Sequence, residues 1–175
     1  MKVISTNFSG LKVIQSKSFK DSRGSFKEDF KKKFLRKENF IFGCTSVSKQ
    51  NVLRGLHLQT KFPQAKYVSV LKGSILDVVV DLRKNSKTFG KHFKILLSDK
   101  SAKSLFIPAG FAHGFLTLKK ENIIYYLCTN YRSAKHEVGL IWNDNDLKIK
   151  WPSKNIIISK KDKKNLTFKE FKKIF

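Results

Sequence analysis

Four short segments of the sequence carry side chains that could move protons. In the first, residues 52–59, Arg54 and His57 flank Gly55. In a regular strand Arg54 and His57 would face opposite ways, but a bulge at the glycine would turn both into one concavity. Histidine titrates near neutral pH, which suits a general base. Taken alone, the segment fits a hydrogen-bonded core histidine at least as well.

Three further segments hold groups of the same kind. Residues 107–115 place His113 after a turn built on proline and glycine, which would aim an imidazole into a barrel. Tyr125 and Tyr126 are adjacent, so in a strand one phenol would face the interior and the other the neighbouring layer. A buried phenol is more often a hydrogen-bonded core group than an acid. Residues 159–162 form a charge cluster with little weight of its own.

The residues around the histidines do not favour metal chemistry. His57 and His113 could be ligands, but a zinc or iron site needs three or four ligands, often with two closely spaced histidines on one strand. The residue two positions after His57 is Gln59, and the chain has only four histidines. We therefore expect no metal site.

The net charge of +24 is the most unusual bulk property. Nucleic-acid binding is the first interpretation of such a charge. However, only five of the 37 cationic residues are arginines, which nucleic-acid readers favour for bidentate contacts, and the lysines are spread along the whole chain. We therefore expect a lysine-rich solvated surface without specific nucleic-acid binding, whose field favours small anionic substrates.

Short β-strands must position these groups. Ten segments rich in Val, Ile, Phe or Tyr are separated by turn residues, which predicts an all-β sandwich or barrel. Residues 75–82 alternate most cleanly, and Asp77 and Asp81 share a face that meets solvent or lines a polar cavity. Short helices are predicted at Lys31–Glu38 and Asn165–Ile174. The predicted strands are Phe26–Phe30, Thr45–Ser48, Val52–Leu58, Lys66–Leu71, Ile75–Leu82, His92–Leu97, Ser104–Ile107, Gly114–Leu118, Ile123–Thr129 and Val138–Trp142.

Length and cysteine content indicate one domain in a reducing compartment. Residues 1–175 suffice for a single core, followed by a short basic C-terminal tail over about residues 163–175. The N-terminus lacks the apolar stretch of a secretory signal, and every apolar run is too short for a membrane span. Cys44 and Cys128, far apart in the sequence, are expected to be free thiols. We expect a cytoplasmic protein without membrane association.

Together, the motifs resemble those of the dTDP-4-dehydrorhamnose 3,5-epimerase family. The stretches RGLHLQ at 54–59, DVVVDLR at 77–83, IPAGFAHGF at 107–115, IWNDNDLKIKWP at 141–152 and SKKD at 159–162 occur in that family's order, and residues 21–28 resemble its DxRGxFxE signature. The resemblance covers roughly residues 3–162. It implies a cupin-type jelly-roll fold with a few short helices, a homodimer, and chemistry without a metal or organic cofactor.

The resemblance also implies catalytic roles for four residues. His57 occupies the position of the catalytic base, and Asp162 matches the carboxylate that pairs with it. Tyr126 matches the proton donor on the opposite face of the sugar. Lys66 matches the lysine near the C4 carbonyl.

Further positions are expected to contact the nucleotide-sugar substrate. Arg23 and Glu28 are expected to serve the neighbouring subunit's pocket through an exchanged N-terminal segment, and Phe26 could stack on the base. The expected substrate-binding residues are Arg23, Phe26, Glu28, Ser46, Arg54, Gln59, His113, Glu137 and Lys161.

One stretch departs from the family pattern. Before the RGLH motif the family usually has Gln-x-Asn-x-Ser, but residues 42–46 read Phe-Gly-Cys-Thr-Ser, so only Ser46 is retained. The first expectation is conversion of dTDP-4-dehydro-6-deoxy-D-glucose into dTDP-4-dehydro-L-rhamnose by inversion at C3 and C5. The departure leaves open epimerisation at C3 only, or of another nucleotide-linked 4-keto sugar such as a heptose. A non-catalytic sugar-binding cupin and a metal-dependent cupin enzyme are the remaining alternatives.

Overall fold

The computed structural model describes all residues 1–175 and contains fourteen β-strands and one α-helix. No helix in it is long and apolar enough to cross a bilayer. The elements are β1 Lys2–Ser5, β2 Lys12–Gln15, β3 Ser18–Asp21, β4 Gly24–Lys27, β5 Phe42–Lys49, β6 Val52–Gln59, β7 Lys66–Lys72, β8 Ser74–Asp81, β9 His92–Ser98, β10 Lys103–Ile107, β11 Phe111–Thr117, β12 Glu121–Cys128, β13 Glu137–Gly139, β14 Ile157–Ile158 and α1 Phe168–Ile174.

Two sheets form a sandwich, as the cupin-type jelly-roll prediction requires. The first sheet has the order β1-β2-β10-β7-β12-β5, and the second has the order β13-β6-β11-β8-β9 with β14 added beside β6. All of these strand pairs are antiparallel except β14 with β6. Strands β3 and β4 form a separate hairpin. The fold prediction is confirmed.

The main core lies between the two sheets, and strand alternation decides which side chains enter it. On β7, Val68 and Val70 point inward, whereas Tyr67 packs on the outer face of the first sheet. On β8, Val79 points inward, whereas Val78 packs on the outer face of the second sheet. By the same alternation, Ile124 and Tyr126 of β12 point toward the space between the two sheets.

The C-terminal tail covers the outer face of the second sheet. Phe168 and Phe171 of α1 are buried in a cluster with Leu56 and Val80. The helix begins with a capping box, in which Thr167 and Glu170 satisfy each other's backbone N–H groups. The basic residues of α1 stay exposed while its phenylalanines complete the core.

The predicted helix over Lys31–Glu38 is wrong. Only a 3₁₀ turn forms, at Lys32–Phe34. Lys31 supplies no side-chain cap to its start, neighbouring lysines repel, and Leu35 is the buried anchor of the segment.

Several strand boundaries also differ from the prediction. The strand predicted at Phe26–Phe30 is β4, which ends at Lys27, and β1, β2 and β3 were not predicted. Strands β1 and β3 are largely exposed four-residue segments, so they carry no alternating apolar signal. The strand predicted at Val138–Trp142 is β13, which ends before the Leu140–Leu166 bridge.

Candidate active site

A cavity of about 630 Å³ opens between the two sheets. Strands β6 and β11 form one wall, β7, β12 and β5 form the other, and residues 157–162 close one side. The lining residues are Phe42, Cys44, Val52, Leu53, Arg54, His57, Gln64, Lys66, His113, Gly114, Phe115, Tyr126, Cys128, Arg132, Glu137, Ile157, Ile158, Ser159, Lys161 and Asp162. Its volume suits a ligand of nucleotide-sugar size.

A bulge in β6 turns Arg54 and His57 into this cavity. His57 pairs with His113 and Arg54 pairs with Phe115, so three steps on β6 oppose two on β11. Gly55 has a φ of +114°, and the Gly55–Leu56 peptide bond is cis. A Cβ on Gly55 would lie 2.5 Å from the Gly114 Cα, so the strands approach this closely only because residue 55 is glycine. The bulge predicted at this glycine is confirmed.

His57 and Asp162 form a hydrogen-bonded pair. The His57 Nε2 and Asp162 Oδ1 atoms are 2.7 Å apart, which leaves Nδ1 of the ring without a protein partner. Burial alone would raise the pKa of Asp162, but the hydrogen bond and charge of His57 and the Gly55 N–H outweigh it and lower that pKa. Asp162 is thus a buried carboxylate that orients the imidazole.

His113 and Asp77 form a second buried histidine–carboxylate pair. His113 Nε2 is 3.0 Å from Asp77 Oδ2 and 3.1 Å from Oδ1. Asp77 is completely buried, so it meets neither solvent nor the cavity directly, and it fixes the orientation of the His113 ring instead.

Lys66 lies on the opposite wall, at the start of β7. Burial lowers the pKa of its ammonium group, although Cys128, Glu137 and Cys44 partly oppose that shift. Its backbone is in register with Cys128, and the thiols of Cys44 and Cys128 are close enough to interact. The cysteines that are far apart in the sequence thus flank one cation in the cavity.

Tyr126 of β12 projects inward, whereas Tyr125 packs against Gly43 on the outer side. The Tyr126 hydroxyl is 3.0 Å from Ser46 Oγ, and its ring packs against Phe115 and His113. Burial raises the pKa of the Tyr126 phenol, with a smaller opposing effect from the Ser46 hydrogen bond. The neutral phenol therefore faces the cavity from the sheet opposite His57.

Cationic groups surround a single carboxylate at the mouth. Glu137 bonds to Lys161, and Arg132 Nε lies 3.3 Å from its Oε2. Burial would raise the Glu137 pKa, but these two cations outweigh it and lower the pKa to about 2. Arg54 Nε donates to Ser48 Oγ at 3.1 Å. Four cationic side chains against two carboxylates make the lining attractive to a diphosphate.

The structure brings together eight of the thirteen residues singled out in the sequence. These eight line the cavity: His57, Lys66, Tyr126, Asp162, Arg54, His113, Glu137 and Lys161. Ser46 stands behind Tyr126 and is not part of the lining.

Gln59 lies outside the cavity, in a structural network. Its Nε2 donates to the carbonyls of Phe62 and Tyr131, and its Oε1 accepts from the Ser133 N–H. The side chain is buried, and both amide hydrogens and the amide oxygen are bonded within the protein. Gln59 is not among the residues that line the cavity.

The N-terminal residues Arg23, Phe26 and Glu28 also lie away from the cavity. Arg23 and Phe26 are on the β3–β4 hairpin, where Arg23 bonds to Asp21 and the Phe26 side chain is 64% exposed. Glu28 pairs with Lys31 at 2.7 Å. These residues do not contribute to the site of their own chain.

Sequence reasoning missed several lining residues. Cys128 could have been found, because it follows Tyr126 by two positions on the same strand face. Gln64 and Arg132 lie in loops, where no periodicity predicts orientation. The chain has no group of three or more His, Cys, Asp or Glu side chains placed to hold a metal ion.

Comparisons with known proteins agree with this geometry. A family model described as dTDP-4-dehydrorhamnose 3,5-epimerase matches residues 5–170. A protein of that name from Methanothermobacter thermautotrophicus is 41% identical over 169 residues, covering 93% of this chain and 91% of the relative.

Solved structures of such enzymes superpose closely. The enzyme from Bacillus anthracis, with TDP and PPi bound, has a TM-score of 0.91 at 40% identity, covering 95% of this chain and 99% of that one. The enzyme from Legionella pneumophila, in complex with dTDP-4-keto-L-rhamnose, has a TM-score of 0.88 at 38% identity, covering 92% and 89%. The chain belongs to the dTDP-4-dehydrorhamnose 3,5-epimerase family.

Proposed function

We propose that the cavity epimerises a dTDP-linked 4-keto-6-deoxy sugar at C3 and C5, converting dTDP-4-dehydro-6-deoxy-D-glucose into dTDP-4-dehydro-L-rhamnose. The observation that carries the proposal is the placement of His57 and Tyr126 on opposite walls of one cavity that Lys66 also lines. The named activity of the relatives supports the same substrate. No bound metal or organic cofactor is required for this chemistry.

The first step is removal of a proton beside the ketone. The C–H bond is acidic because the resulting carbanion delocalises onto the carbonyl oxygen. His57 Nδ1 accepts this proton, since Nε2 is held by Asp162, and the carboxylate stabilises the imidazolium that forms. The Lys66 ammonium stabilises negative charge developing on O4.

Tyr126 then delivers a proton to the same carbon from the other face. Because the acid and base stand on opposite sheets, the carbon returns to tetrahedral geometry with inverted configuration. The same set serves both carbons, since C3 and C5 flank the same carbonyl. Arg54, Arg132 and Lys161 are placed to hold the diphosphate.

The active form is proposed to be a homodimer in the cytoplasm. Support for the dimer comes from the β3–β4 hairpin, which forms its own two-stranded sheet and leaves Phe19 and Phe26 exposed. In this arrangement Arg23, Phe26 and Glu28 complete the partner's pocket. The two free thiols support a reducing compartment.

The test is an incubation with the dTDP-4-keto-6-deoxy sugar in deuterium oxide, followed by NMR of the product. Deuterium at both C3 and C5 with inversion at both is the expected result. Label and inversion at C3 alone would instead identify a 3-epimerase, and no label at either carbon would leave only a sugar-binding protein. The His57→Ala variant should lose label at both carbons; near-normal labelling in it would refute the assigned base.

A further inference from the structure

Strand β5 directs two serines toward the site without exposing them to the cavity. Ser46 and Ser48 alternate with exposed residues, so they share the inward face of this edge strand. Neither belongs to the cavity lining. Each hydroxyl bonds instead to a functional side chain: Ser46 to Tyr126, and Ser48 to Arg54.

Ser46 is the one hydrogen-bond partner of the Tyr126 hydroxyl in the protein. Its Oγ lies 3.0 Å from that hydroxyl, which is a normal bond length. The Tyr126 ring packs against Phe115 and His113. The phenol thus has a fixed direction set by a single neutral hydroxyl.

Proton donation changes what this hydrogen bond does. When the Tyr126 O–H bond breaks and a C–H bond forms on the sugar, the phenol becomes a phenolate in a low-dielectric site. A buried anion without a donor is costly, whereas a hydrogen bond from a neighbouring hydroxyl stabilises the charged form. Ser46 can rotate its O–H toward the phenolate while keeping its own proton.

We propose that Ser46 is a positioning residue that orients the Tyr126 hydroxyl and stabilises its phenolate during inversion. The inference rests on the proposed role of Tyr126 as the acid. The proton balance is closed: His57 holds the proton taken from the sugar, Tyr126 has given one, and exchange with water restores both groups. Ser46 therefore acts through Tyr126 and does not touch the substrate.

The measurement that tests this role is the ratio in which the enolate returns to substrate or goes on to the inverted product. With Ser46→Ala, abstraction by His57 continues, but protonation by Tyr126 slows, so more enolate returns to substrate after the imidazolium has exchanged with solvent. In deuterium oxide, the label in recovered substrate per product formed should rise by about 10- to 100-fold. The KM should change little, since Ser46 does not face the ligand.

Three variants separate this role from a structural one. Ser46→Thr keeps the hydroxyl and should return the ratio toward the wild-type value. Placing 3-fluorotyrosine, a more acidic phenol, at position 126 of the Ser46→Ala protein should restore product formation. The matched control Ser48→Ala removes the other inward hydroxyl, so it should raise KM through Arg54 and leave the partition ratio unchanged.

The outcomes are distinct. An unchanged ratio in folded Ser46→Ala, while the wild type inverts the sugar, would overturn the role of Ser46 and leave the proposed function standing. Absence of inversion in the wild type would instead reject the proposed function. Ser46→Cys retains the volume with a weaker donor and should give an intermediate ratio, so it carries the test if the alanine variant folds poorly.

Discussion

His57 and Asp162 are 105 positions apart in the sequence, yet they share a hydrogen bond of 2.7 Å. The connection is made by β14, which runs parallel to the start of β6 and returns the chain to the site. The Ser159 hydroxyl then accepts from the Asp162 N–H at 3.0 Å and fixes the turn that holds the carboxylate. Asp162, which belongs to a charge cluster in the sequence, is only 5% exposed and lines the cavity.

Replacing this carboxylate tests the pair directly. Asp162→Asn keeps the shape but removes the negative charge that would stabilise the imidazolium, and it replaces one carboxylate oxygen by an NH₂ donor, which can hold His57 in the wrong tautomer. We expect kcat to fall by about 100-fold or more with a small change in KM. Steady-state kinetics check this, with thermal unfolding as the control for folding; a kcat within a factor of two of wild type would contradict it.

The lowered pKa of Lys66 predicts how the activity falls at alkaline pH. In the proposed mechanism only the protonated ammonium stabilises charge on O4, and burial lowers the pKa of this group below that of an ordinary lysine. Activity should therefore fall as pH rises, and at a lower pH than a solvent-exposed lysine would give. Lys66→Met should remove this limb from a kcat/KM profile. A limb that persists in the variant would assign it to another group.

At the scale of elements, the β6 bulge is the feature that directs both Arg54 and His57 into the cavity. It brings residues 54 and 57 to one side, and it requires Gly55 at a φ of +114° against Gly114. In contrast, Gly24 has a φ of +135° with no atom within 4 Å of a would-be Cβ. A side chain at residue 24 would therefore meet backbone strain alone, whereas one at residue 55 would meet both strain and a steric clash.

Alanine at these positions should cost different amounts of stability. Gly24→Ala introduces strain only, for about 1–3 kcal/mol. Gly55→Ala adds a 2.5 Å contact with the Gly114 backbone, so it should destabilise the fold further and reduce activity. Urea unfolding of both variants measures the difference. Equal losses would show that β6 and β11 can separate freely.

The loop after β8 is held by Asp81. This buried carboxylate accepts bonds from Arg83 Nε at 2.8 Å, Ser86 Oγ at 2.6 Å and Thr88 Oγ1 at 2.6 Å. Burial opposes ionisation, but these hydrogen bonds outweigh it and lower the Asp81 pKa from 3.8 to about 2. The charged form is therefore the one that the folded loop stabilises.

This network predicts an acid-sensitive contribution to stability. Because the folded pKa is below the unfolded one, the contribution is complete above pH 4 and is lost as pH falls toward 2. Its size is at most about 2 kcal/mol. Free energies of unfolding measured between these pH values should fall less steeply for Asp81→Asn than for wild type. Parallel slopes would contradict this account.

At the scale of the molecule, the chain places His57, Tyr126 and Lys66 in one cavity but carries Arg23, Phe26 and Glu28 elsewhere. The proposed exchange of the hairpin would join the two sets. The exchange would also bury Phe19 and Phe26, which the hairpin leaves exposed.

Mixed dimers test the exchange. Arg23→Ala and His57→Ala damage different parts of one composite site, so each homodimer should be weakly active. A co-refolded 1:1 mixture should recover about a quarter of wild-type activity, because half of the dimers hold one intact site. If the hairpin instead served its own chain, the mixture would show no gain over the two homodimers.

Sequence patterns predicted the sandwich, the β6 bulge and the opposite directions of Tyr125 and Tyr126, because alternation and glycine placement are local properties. The resemblance of the ordered motifs to the family predicted the pairing of His57 with Asp162. No local sequence pattern implies a contact between residues so far apart. The short exposed strands β1 and β3 have no alternating apolar pattern, and the lysine-rich stretch at 31–38 resembles a helix but has no side-chain cap. Cys44 and Cys128 lie close together because of the register between β5 and β12, and no local sequence pattern predicts that register.

Because Cys44 and Cys128 both line the cavity, the reactivity of their thiols can report whether a ligand is bound. Burial raises the pKa of Cys44 and takes that of Cys128 to about 11, so alkylation should be slow near neutrality and accelerate in mildly basic buffer. A bound sugar nucleotide, with its sugar ring beside Lys66, would shield both sulfurs from iodoacetamide. The rate of mass gain would then report occupancy for any sugar nucleotide, including analogues that are never turned over.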